Sequence, residues 1–291
     1  MNRQSGGLTE IAGSPFPSPG VPVVDPGGKF LLAFSPADID RGTLAKLFVL
    51  SIDDATGALS QVGTPVPTVS VRYGPLPVFS ADSKFVFVCG YSAIQIFSFD
   101  PTTGLLTETA TSPFHPAGGD VGSLAVVGEF LVASASADAV AVYSINAASG
   151  DLTPVSGSPF PIGRAPTQVT IHPSGKFVYA ITYGPAPGFS EPPMISALTI
   201  DASTGSVAVA PGSPAGIGTG TPSSEIIPAP PRLAVTPSGN LLYARSVTYD
   251  SIFGYRVDLT SGSLAAIDGS PFPVDSPNFS IAIVSRQTVS P

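Results

Sequence analysis

The sequence predicts an all-β protein, a β-propeller with five complete four-stranded blades and an incomplete sixth blade shared by the termini. Three observations lead to this prediction. Proline and glycine contribute 33 and 31 of the 291 residues, which excludes long helices. Two motifs recur in a constant order at the spacing of one supersecondary unit. The segments between the motifs are short apolar runs typical of β-strands.

The first recurrent motif is a Ser-Pro or Thr-Pro pair, with successive copies 46 to 57 residues apart. It begins at Ser14, Thr64, Ser112, Ser158, Ser213 and Ser270. The second motif is a Ser-Gly or Thr-Gly pair with an acidic or amide residue three positions before its Ser or Thr. That residue is Asp53, Asp100, Asn146, Asp201 or Asp258. Its side chain can accept backbone N–H bonds while the glycine supplies a positive φ, so the motif predicts a tight turn.

Each repeat therefore contains four strands, here called A to D. Strand A is apolar and ends in a turn, as in residues 167–171. Strand B is almost continuously apolar, which is typical of a strand covered on both faces. Strand C alternates, as in residues 94–99, and the Gly-containing turn leads to strand D, as in residues 152–155.

The ends of the chain carry one strand each. A lone D strand is expected at residues 8–12 and a lone A strand at residues 278–285, and together they would form the incomplete sixth blade. A truncated seven-bladed ring is the alternative. We expect one propeller domain over residues 1–291, with residues 1–7 and 286–291 as disordered tails.

One stretch of the repeat resembles a known family. Residues 157–179 contain Gly-Ser-Pro-Phe-Pro, followed by Pro-Ser-Gly-Lys-Phe-Val-Tyr. This unit resembles the YVTN-type repeat of the lactonase-like β-propellers, which include propeller 6-phosphogluconolactonases and muconate-lactonizing enzymes. The resemblance covers residues 8–285 and implies a ring of blades and lactone chemistry. It assigns no catalytic residue, since the shared positions belong to turns and blade cores.

Composition excludes several classes of function. The formal net charge is −8 and only 11% of residues are charged, which argues against nucleic-acid or anionic-membrane partners. No run of 18 apolar residues could span a bilayer. One cysteine, Cys89, and two histidines, His115 and His172, cannot build a Cys-rich or His-based metal centre. We expect no metal and no cofactor.

The variable loops locate the candidate site. Strands alternate in direction, so the A–B and C–D turns meet at one end of every blade, while the B–C and D–A loops meet at the other. Insertions concentrate in the B–C and D–A loops, and repeat proteins place insertions on their binding face. His115 and Arg164, in consecutive D–A loops, are the candidate catalytic pair, as a base and an anion clamp. Candidate ligand-binding residues in these loops are Arg72, Asp120, Glu225, Arg232, Asp275, Tyr91, Tyr183 and Tyr249. The alternative is that all of them are solvated loop residues without a role in binding or catalysis.

Other polar residues are expected to be structural. His172 occupies the A–B turn position held by Asp25, Ser80 and Thr236 in sister repeats, so a turn-capping role is predicted. Cys89 ends an apolar strand and is expected to be buried and inert.

Two functions remain open from the sequence. One is a lactonase-type hydrolase that opens a sugar or muconate-type lactone, which rests on the resemblance. The other is an extracytoplasmic binding or scaffold module whose loop face takes a lactone-like or carbohydrate-like small molecule, or a protein. We favour the second, because catalytic clefts concentrate ionisable groups and this chain has few. A monomer in the periplasm or outside the cell is expected, although no signal peptide is visible, and a cytoplasmic location is the alternative.

Overall fold

The molecule is described by a computed structural model over residues 14–15, 22–35, 45–68, 77–90, 92–117, 119–135, 138–183, 192–217, 232–246 and 251–274. Every regular element in these ranges is a β-strand. The strands form five antiparallel sheets, each made of strands that follow one another in the chain. The prediction of five complete blades is therefore confirmed. No helix long and apolar enough to cross a membrane occurs in these ranges.

The first two blades are four-stranded meanders in A-B-C-D order. Blade 1 contains β1 (Pro22–Val24), β2 (Phe30–Ser35), β3 (Lys46–Ile52) and β4 (Leu59–Pro67). Blade 2 contains β5 (Val78–Phe79), β6 (Phe85–Cys89), β7 (Ile94–Phe99) and β8 (Leu106–Glu108).

The remaining three blades keep this order and add a short fifth strand that pairs with strand C. Blade 3 contains β9 (Val121–Val127), β10 (Phe130–Ala135), β11 (Ala139–Ile145), β12 (Leu152–Pro154) and β13 (Phe160–Pro161). Blade 4 contains β14 (Ala165–Ile171), β15 (Phe177–Tyr183), β16 (Met194–Ile200), β17 (Val207–Val209) and β18 (Ala215–Gly216). Blade 5 contains β19 (Arg232–Val235), β20 (Leu241–Ser246), β21 (Ser251–Val257), β22 (Leu264–Ala266) and β23 (Phe272–Pro273).

The hydrophobic core lies between neighbouring blades. Four clusters of buried side chains join blades 1 and 2, 2 and 3, 3 and 4, and 4 and 5. Every residue of β6 is buried, because each of its faces packs against a different blade. Cys89 closes this strand, and burial raises the pKa of its thiol to about 12, as expected for an inert cysteine.

The Ser-Pro motif, which follows strand D, is hydrogen-bonded to strand C of its own blade. In blades 2 to 5 the serine Oγ accepts a hydrogen bond from a backbone N–H of strand C, at 2.8–3.1 Å. The peptide bond between this serine and its proline is cis in each of these blades. Blade 1 differs, because its Thr64-Pro65 pair lies inside the longer strand β4, which stays paired with β3 as far as Pro67.

The C–D turns have the predicted conformation. Their glycines all have positive φ, between 70° and 77°: Gly57, Gly104, Gly150, Gly205 and Gly262. In blade 4 the Asp201 carboxylate accepts the backbone N–H bonds of Ser203 and Thr204, both at 2.9 Å. The Ser203 hydroxyl, these two backbone bonds and the Thr204 hydroxyl lower the pKa of Asp201 to about 2.

The A–B turns are capped at the same end of the blades. His172 caps its turn as predicted, since the Ser174 N–H donates to its Nδ1 at 3.1 Å. Its Nε2 lies 2.9 Å from the carbonyl oxygen of Gly239, which can only accept, so Nε2 carries the proton. Gly239 belongs to the A–B turn of blade 5. His172 therefore joins two neighbouring blades, whereas the side chains of Asp25, Ser80 and Thr236 bond only within their own turns among the described residues.

The incomplete sixth blade stays a prediction. Its two strands, at residues 8–12 and 278–285, lie outside the described residues, as do the tails at residues 1–7 and 286–291.

Candidate functional site

The two ends of the propeller differ in how their polar side chains are used. We call the end with the A–B and C–D turns the turn end, and the end with the B–C and D–A loops the loop end. At the turn end, the carboxylates of Asp25, Asp53, Asp100, Asp201 and Asp258 all bind backbone N–H groups of their own turns. At the loop end, the ionisable side chains are not part of a repeated cap.

His115 lies in the D–A loop after blade 2. The preceding residue, Phe114, exchanges both backbone hydrogen bonds with Ile94, which fixes where the loop leaves the blade. The imidazole Nδ1 lies 3.1 Å from the carbonyl oxygen of Ser92 in the B–C loop. A carbonyl can only accept, so Nδ1 donates, and Nε2 of the neutral ring keeps its lone pair on an exposed side chain. Such a nitrogen can accept a proton from water.

Arg164 lies in the next D–A loop, immediately before β14. Its Nη2 donates to the carbonyl oxygen of Pro192, at 3.2 Å, in the B–C loop of blade 4. His115 is therefore bonded within blade 2 and Arg164 within blade 4. Among the described residues no hydrogen bond or ion pair joins the two side chains. Their pairing stays a prediction, and what the structure shows is that each is held by a loop of the loop end.

Asp138 lies in the B–C loop of blade 3 and has an unusual environment. Its φ is +52°, a left-handed value that asparagine and aspartate adopt more often than other non-glycine residues. Within the described ranges its buried Oδ1 has no hydrogen-bond partner. Its backbone carbonyl accepts the N–H of Ile162, two residues before Arg164. A buried carboxylate oxygen without a partner is costly and is a common feature of functional sites.

Arg232 and Arg245 lie opposite each other at the loop end of blade 5. Arg232 is the first residue of β19, and Arg245 is its register partner on β20. Arg245 is only 4% exposed, whereas Arg232 is half-buried. Burial lowers the pKa of Arg232, and burial followed by the charge of Arg232 lowers the pKa of Arg245. Both remain cations at neutral pH, because an arginine is not deprotonated in a protein.

The other residues expected at the site have varied positions. Asp120 is exposed just before β9. Tyr183 is 2% exposed and belongs to the core between blades 4 and 5. Arg72, Tyr91, Glu225, Tyr249 and Asp275 lie outside the described residues, so their roles stay predictions. No group of three or more His, Cys, Asp and Glu side chains that could hold a metal ion occurs within the described parts of the chain.

A family model decides the relationship of the chain to known proteins. The model described as lactonase, 7-bladed beta-propeller matches residues 22–184, which is more than half of the chain. The chain belongs to this family. The predicted resemblance to lactonase-like propellers is thereby confirmed. No curated protein matches the sequence significantly.

Solved structures of three bacterial proteins are similar in fold to this lactonase-family chain. A Bacteroides uniformis protein assigned as a 6-phosphogluconolactonase is 17% identical, with a TM-score of 0.58 over 94% of this chain and 91% of that one. A Bacteroides fragilis protein with the same assignment is 14% identical, with a TM-score of 0.60 over 94% and 89%. A Lactobacillus plantarum protein is 16% identical, with a TM-score of 0.63 over 88% and 71%. At these identities the likeness shows the fold alone.

Two loop-end residues, Asp138 and Arg245, are not among the candidate site residues predicted from the sequence. For Arg245 a signal exists, because it is the only charged residue in any of the five B strands. For Asp138 no such signal exists, because a carboxylate in a short loop is common. Its positive φ and its buried, unpartnered oxygen depend on how the loop folds.

Proposed function

We propose that this lactonase-family propeller is a binding module that takes a small lactone-like or carbohydrate-like molecule at its loop end. The observation that carries the proposal is the contrast between the two ends. Turn-end carboxylates are engaged by their own turns, whereas the loop end holds His115, Asp138, Arg164, Arg232 and Arg245 at positions without a repeated structural role. A small number of placed polar groups in a cleft fix the orientation and the specificity of a bound ligand.

The proposal includes an extracytoplasmic location. Charged residues make up 11% of the chain, and Lys and Arg together number only 12 of 291. This composition resembles that of cell-surface repeat proteins, which are rich in Ser, Thr, Pro and Gly. Fractionation of the producing cells tests it, and recovery of the full chain in the cytoplasmic fraction alone would contradict it.

A second candidate function is hydrolysis of a lactone. The observation in its favour is that the loop end holds two groups able to accept a proton, His115 Nε2 and the Asp138 carboxylate. Arg164, two residues after the backbone partner of Asp138, could hold a carboxylate or phosphate on the substrate. The names of the Bacteroides structures agree with this chemistry.

One experiment separates the two functions. Glucono-δ-lactone, its 6-phosphate and muconolactone are added to the wild type and to His115→Ala, Arg164→Ala and Asp138→Asn. Binding is measured by calorimetry and loss of lactone against a buffer blank. Asparagine tolerates the left-handed φ at position 138, so that variant removes the charge and keeps the loop.

We expect binding without turnover above the blank. Turnover that falls at least about tenfold in His115→Ala or Asp138→Asn would establish the hydrolase instead, as is usual on removal of a general base. If no compound binds and none is turned over, both functions are contradicted.

A further inference from the structure

Gln168, on strand A of blade 4, carries this inference, which rests on the proposed function and concerns how a ligand is recognised. Its Oε1 accepts the backbone N–H of Leu233 in blade 5, at 3.2 Å. Leu233 directly follows Arg232 in β19, so this bond lies towards the loop end. One edge of β19 pairs with β20, and β14 is in contact with β19 on its other side. The carboxamide of Gln168 therefore lies against the inner edge of blade 5, beside the axis of the propeller.

A bond of the same kind joins blades 3 and 4. The Oγ of Ser123, on strand A of blade 3, accepts the backbone N–H of Val169 on strand A of blade 4, at 3.2 Å. A single oxygen on a short side chain is therefore enough to link two inner strands. Gln168 provides that oxygen and, in addition, an amide NH₂ group that the link between blades does not require.

The bond to Leu233 determines which way the amide of Gln168 points. A backbone N–H can only donate, so the amide oxygen faces Leu233 and Nε2 is directed away from it. Among the described residues Nε2 has no hydrogen-bond partner, and it is not sealed from solvent, since the side chain is half-buried. Gln168 thus holds two N–H donors in a fixed direction where a ligand can reach them.

A β-bulge in β14 lies immediately before this residue. Pro166 pairs with Thr182 of β15, and Gln168 pairs with the adjacent Ile181, so Thr167 is an extra residue in β14. A bulge bends its strand and re-aims the neighbouring side chains, and bulges are frequent next to functional sites. The backbone of blade 4 therefore helps to direct the Gln168 side chain across to blade 5.

We propose that Gln168 Nε2 donates a hydrogen bond to the carbonyl oxygen of a neutral lactone bound at the loop end. An amide NH₂ can only donate and a carbonyl oxygen can only accept, so the two groups are complementary. The bond to Leu233 holds the donor in place before the ligand arrives, which reduces the entropy lost on binding. Gln168 is thus a contact residue that selects a ring with a carbonyl group over the same ring without one.

The test compares two neutral rings on the intact chain. Glucono-δ-lactone and anhydroglucitol have the same ring and the same hydroxyl groups, but anhydroglucitol has a CH₂ group in place of the carbonyl. Binding of each freshly dissolved compound is measured by calorimetry, and the ratio of the two affinities is the quantity compared between variants. Gln168→Glu keeps the shape of the side chain and an oxygen for the Leu233 N–H, but it replaces the donor with an acceptor. Gln168→Met removes both groups.

Ser123→Ala is the matched control, because it removes the corresponding bond between blades 3 and 4 and leaves Gln168 unchanged. The circular dichroism spectrum and melting temperature of each variant without ligand show whether it folds. Gln168→Glu retains the bond between blades 4 and 5, so it keeps the test decisive if Gln168→Met does not fold.

We expect the wild type to bind glucono-δ-lactone at least about fivefold more tightly than anhydroglucitol, which corresponds to one neutral hydrogen bond. Gln168→Glu and Gln168→Met should both lose this preference, since neither retains the N–H donor. Gln168→Glu should keep a melting temperature close to that of the wild type. Ser123→Ala should melt at a lower temperature and keep the preference.

Three outcomes would overturn the inference. If the wild type binds both rings equally tightly, or if Gln168→Glu keeps the preference, the amide does not recognise the carbonyl. If Ser123→Ala loses the preference as well, the preference depends on the fit between blades and not on the Gln168 donor. In each of these cases a ring still binds, so the proposed function survives and only this inference fails. If no ring and no lactone of the preceding section binds, both fail together.

Discussion

One capping side chain stabilises the backbone of each C–D turn. The capping residue is aspartate in blades 1, 2, 4 and 5 and asparagine in blade 3, where Asn146 Oδ1 accepts the N–H groups of Ala148 and Ser149 at 2.9 and 3.2 Å. The amide and the carboxylate thus accept equivalent backbone bonds. Only the carboxylate titrates, so an aspartate cap makes the stability of the protein depend on pH and the asparagine cap itself does not.

Asp201→Asn should make the protein less sensitive to acid. The pKa of Asp201 is lowered to about 2, below the value of about 3.9 in an unfolded chain. Its contribution to stability is therefore present above about pH 4 and is lost as the pH falls toward 2. Thermal melts from pH 7 to 2.5 should show a smaller loss of melting temperature in Asp201→Asn than in the wild type, with similar values at pH 7.

Asp54→Asn is the control for this measurement, since Asp54 is exposed and stands next to the capping residue Asp53. Its acid dependence should match that of the wild type. Parallel curves for Asp201→Asn and the wild type would contradict the capping role of the carboxylate.

At the scale of the structural elements, each C–D turn packs against the preceding blade. A Cβ added at the turn glycine of blades 2 to 5 would lie 2.5–2.8 Å from a phenylalanine ring. The phenylalanine is the first residue of strand B in the preceding blade. The glycines are Gly104, Gly150, Gly205 and Gly262. These rings belong to Phe30, Phe85, Phe130 and Phe177. Each turn glycine therefore has two reasons to be glycine, its positive φ and the neighbouring ring. The recurrence of the Gly motif thus reflects packing between blades as well as turn geometry.

Gly104→Ala should destabilise the protein by about 2–4 kcal/mol. About 1–2 kcal/mol comes from the left-handed backbone and the rest from overpacking against Phe30. Gly28→Ala isolates the backbone cost, because Gly28 has a φ of +70° and no atom within 4 Å of the added Cβ. Denaturant unfolding should give a clearly larger loss for Gly104→Ala. Equal losses in the two variants would show that the ring contact contributes nothing.

Blade composition is predictable from sequence because each element carries a local signal. Turn motifs mark the C–D connections, and apolar B strands mark the buried centre of each blade. Blade 1 shows the limit of this reasoning. Its Thr64-Pro65 pair looks like the other copies, yet β4 continues through it because Val66 and Pro67 still pair with β3. Whether a strand ends at the motif depends on pairing across the sheet, which the motif does not encode.

The candidate site is less predictable than the fold. Strand order alone places the D–A and B–C loops at one end, and His115, Arg164 and Arg232 lie in or beside these loops, while their roles stay predictions. Strand order does not say how far a side chain reaches, and His115 and Arg164 are bonded within different blades. Arg245 looks like part of an apolar strand until the register places it opposite Arg232.

At the scale of the whole molecule, the two ends of the propeller differ: the turn end is structural, and the loop end is the one to which we assign ligand binding. Capped turns and the His172 link between blades 4 and 5 stabilise the turn end. Loops of variable length characterise the loop end, where the described ionisable side chains include both acidic residues, such as Asp138, and basic residues, such as Arg164. This division matches the general behaviour of repeat proteins, in which insertions on one face carry binding.

A crystal structure of the protein with glucono-δ-lactone tests this division most directly. We predict density for the ligand at the loop end, in contact with side chains of the B–C and D–A loops. Density at the turn end, or at a surface remote from the B–C and D–A loops, would contradict the assignment of function to the loop end.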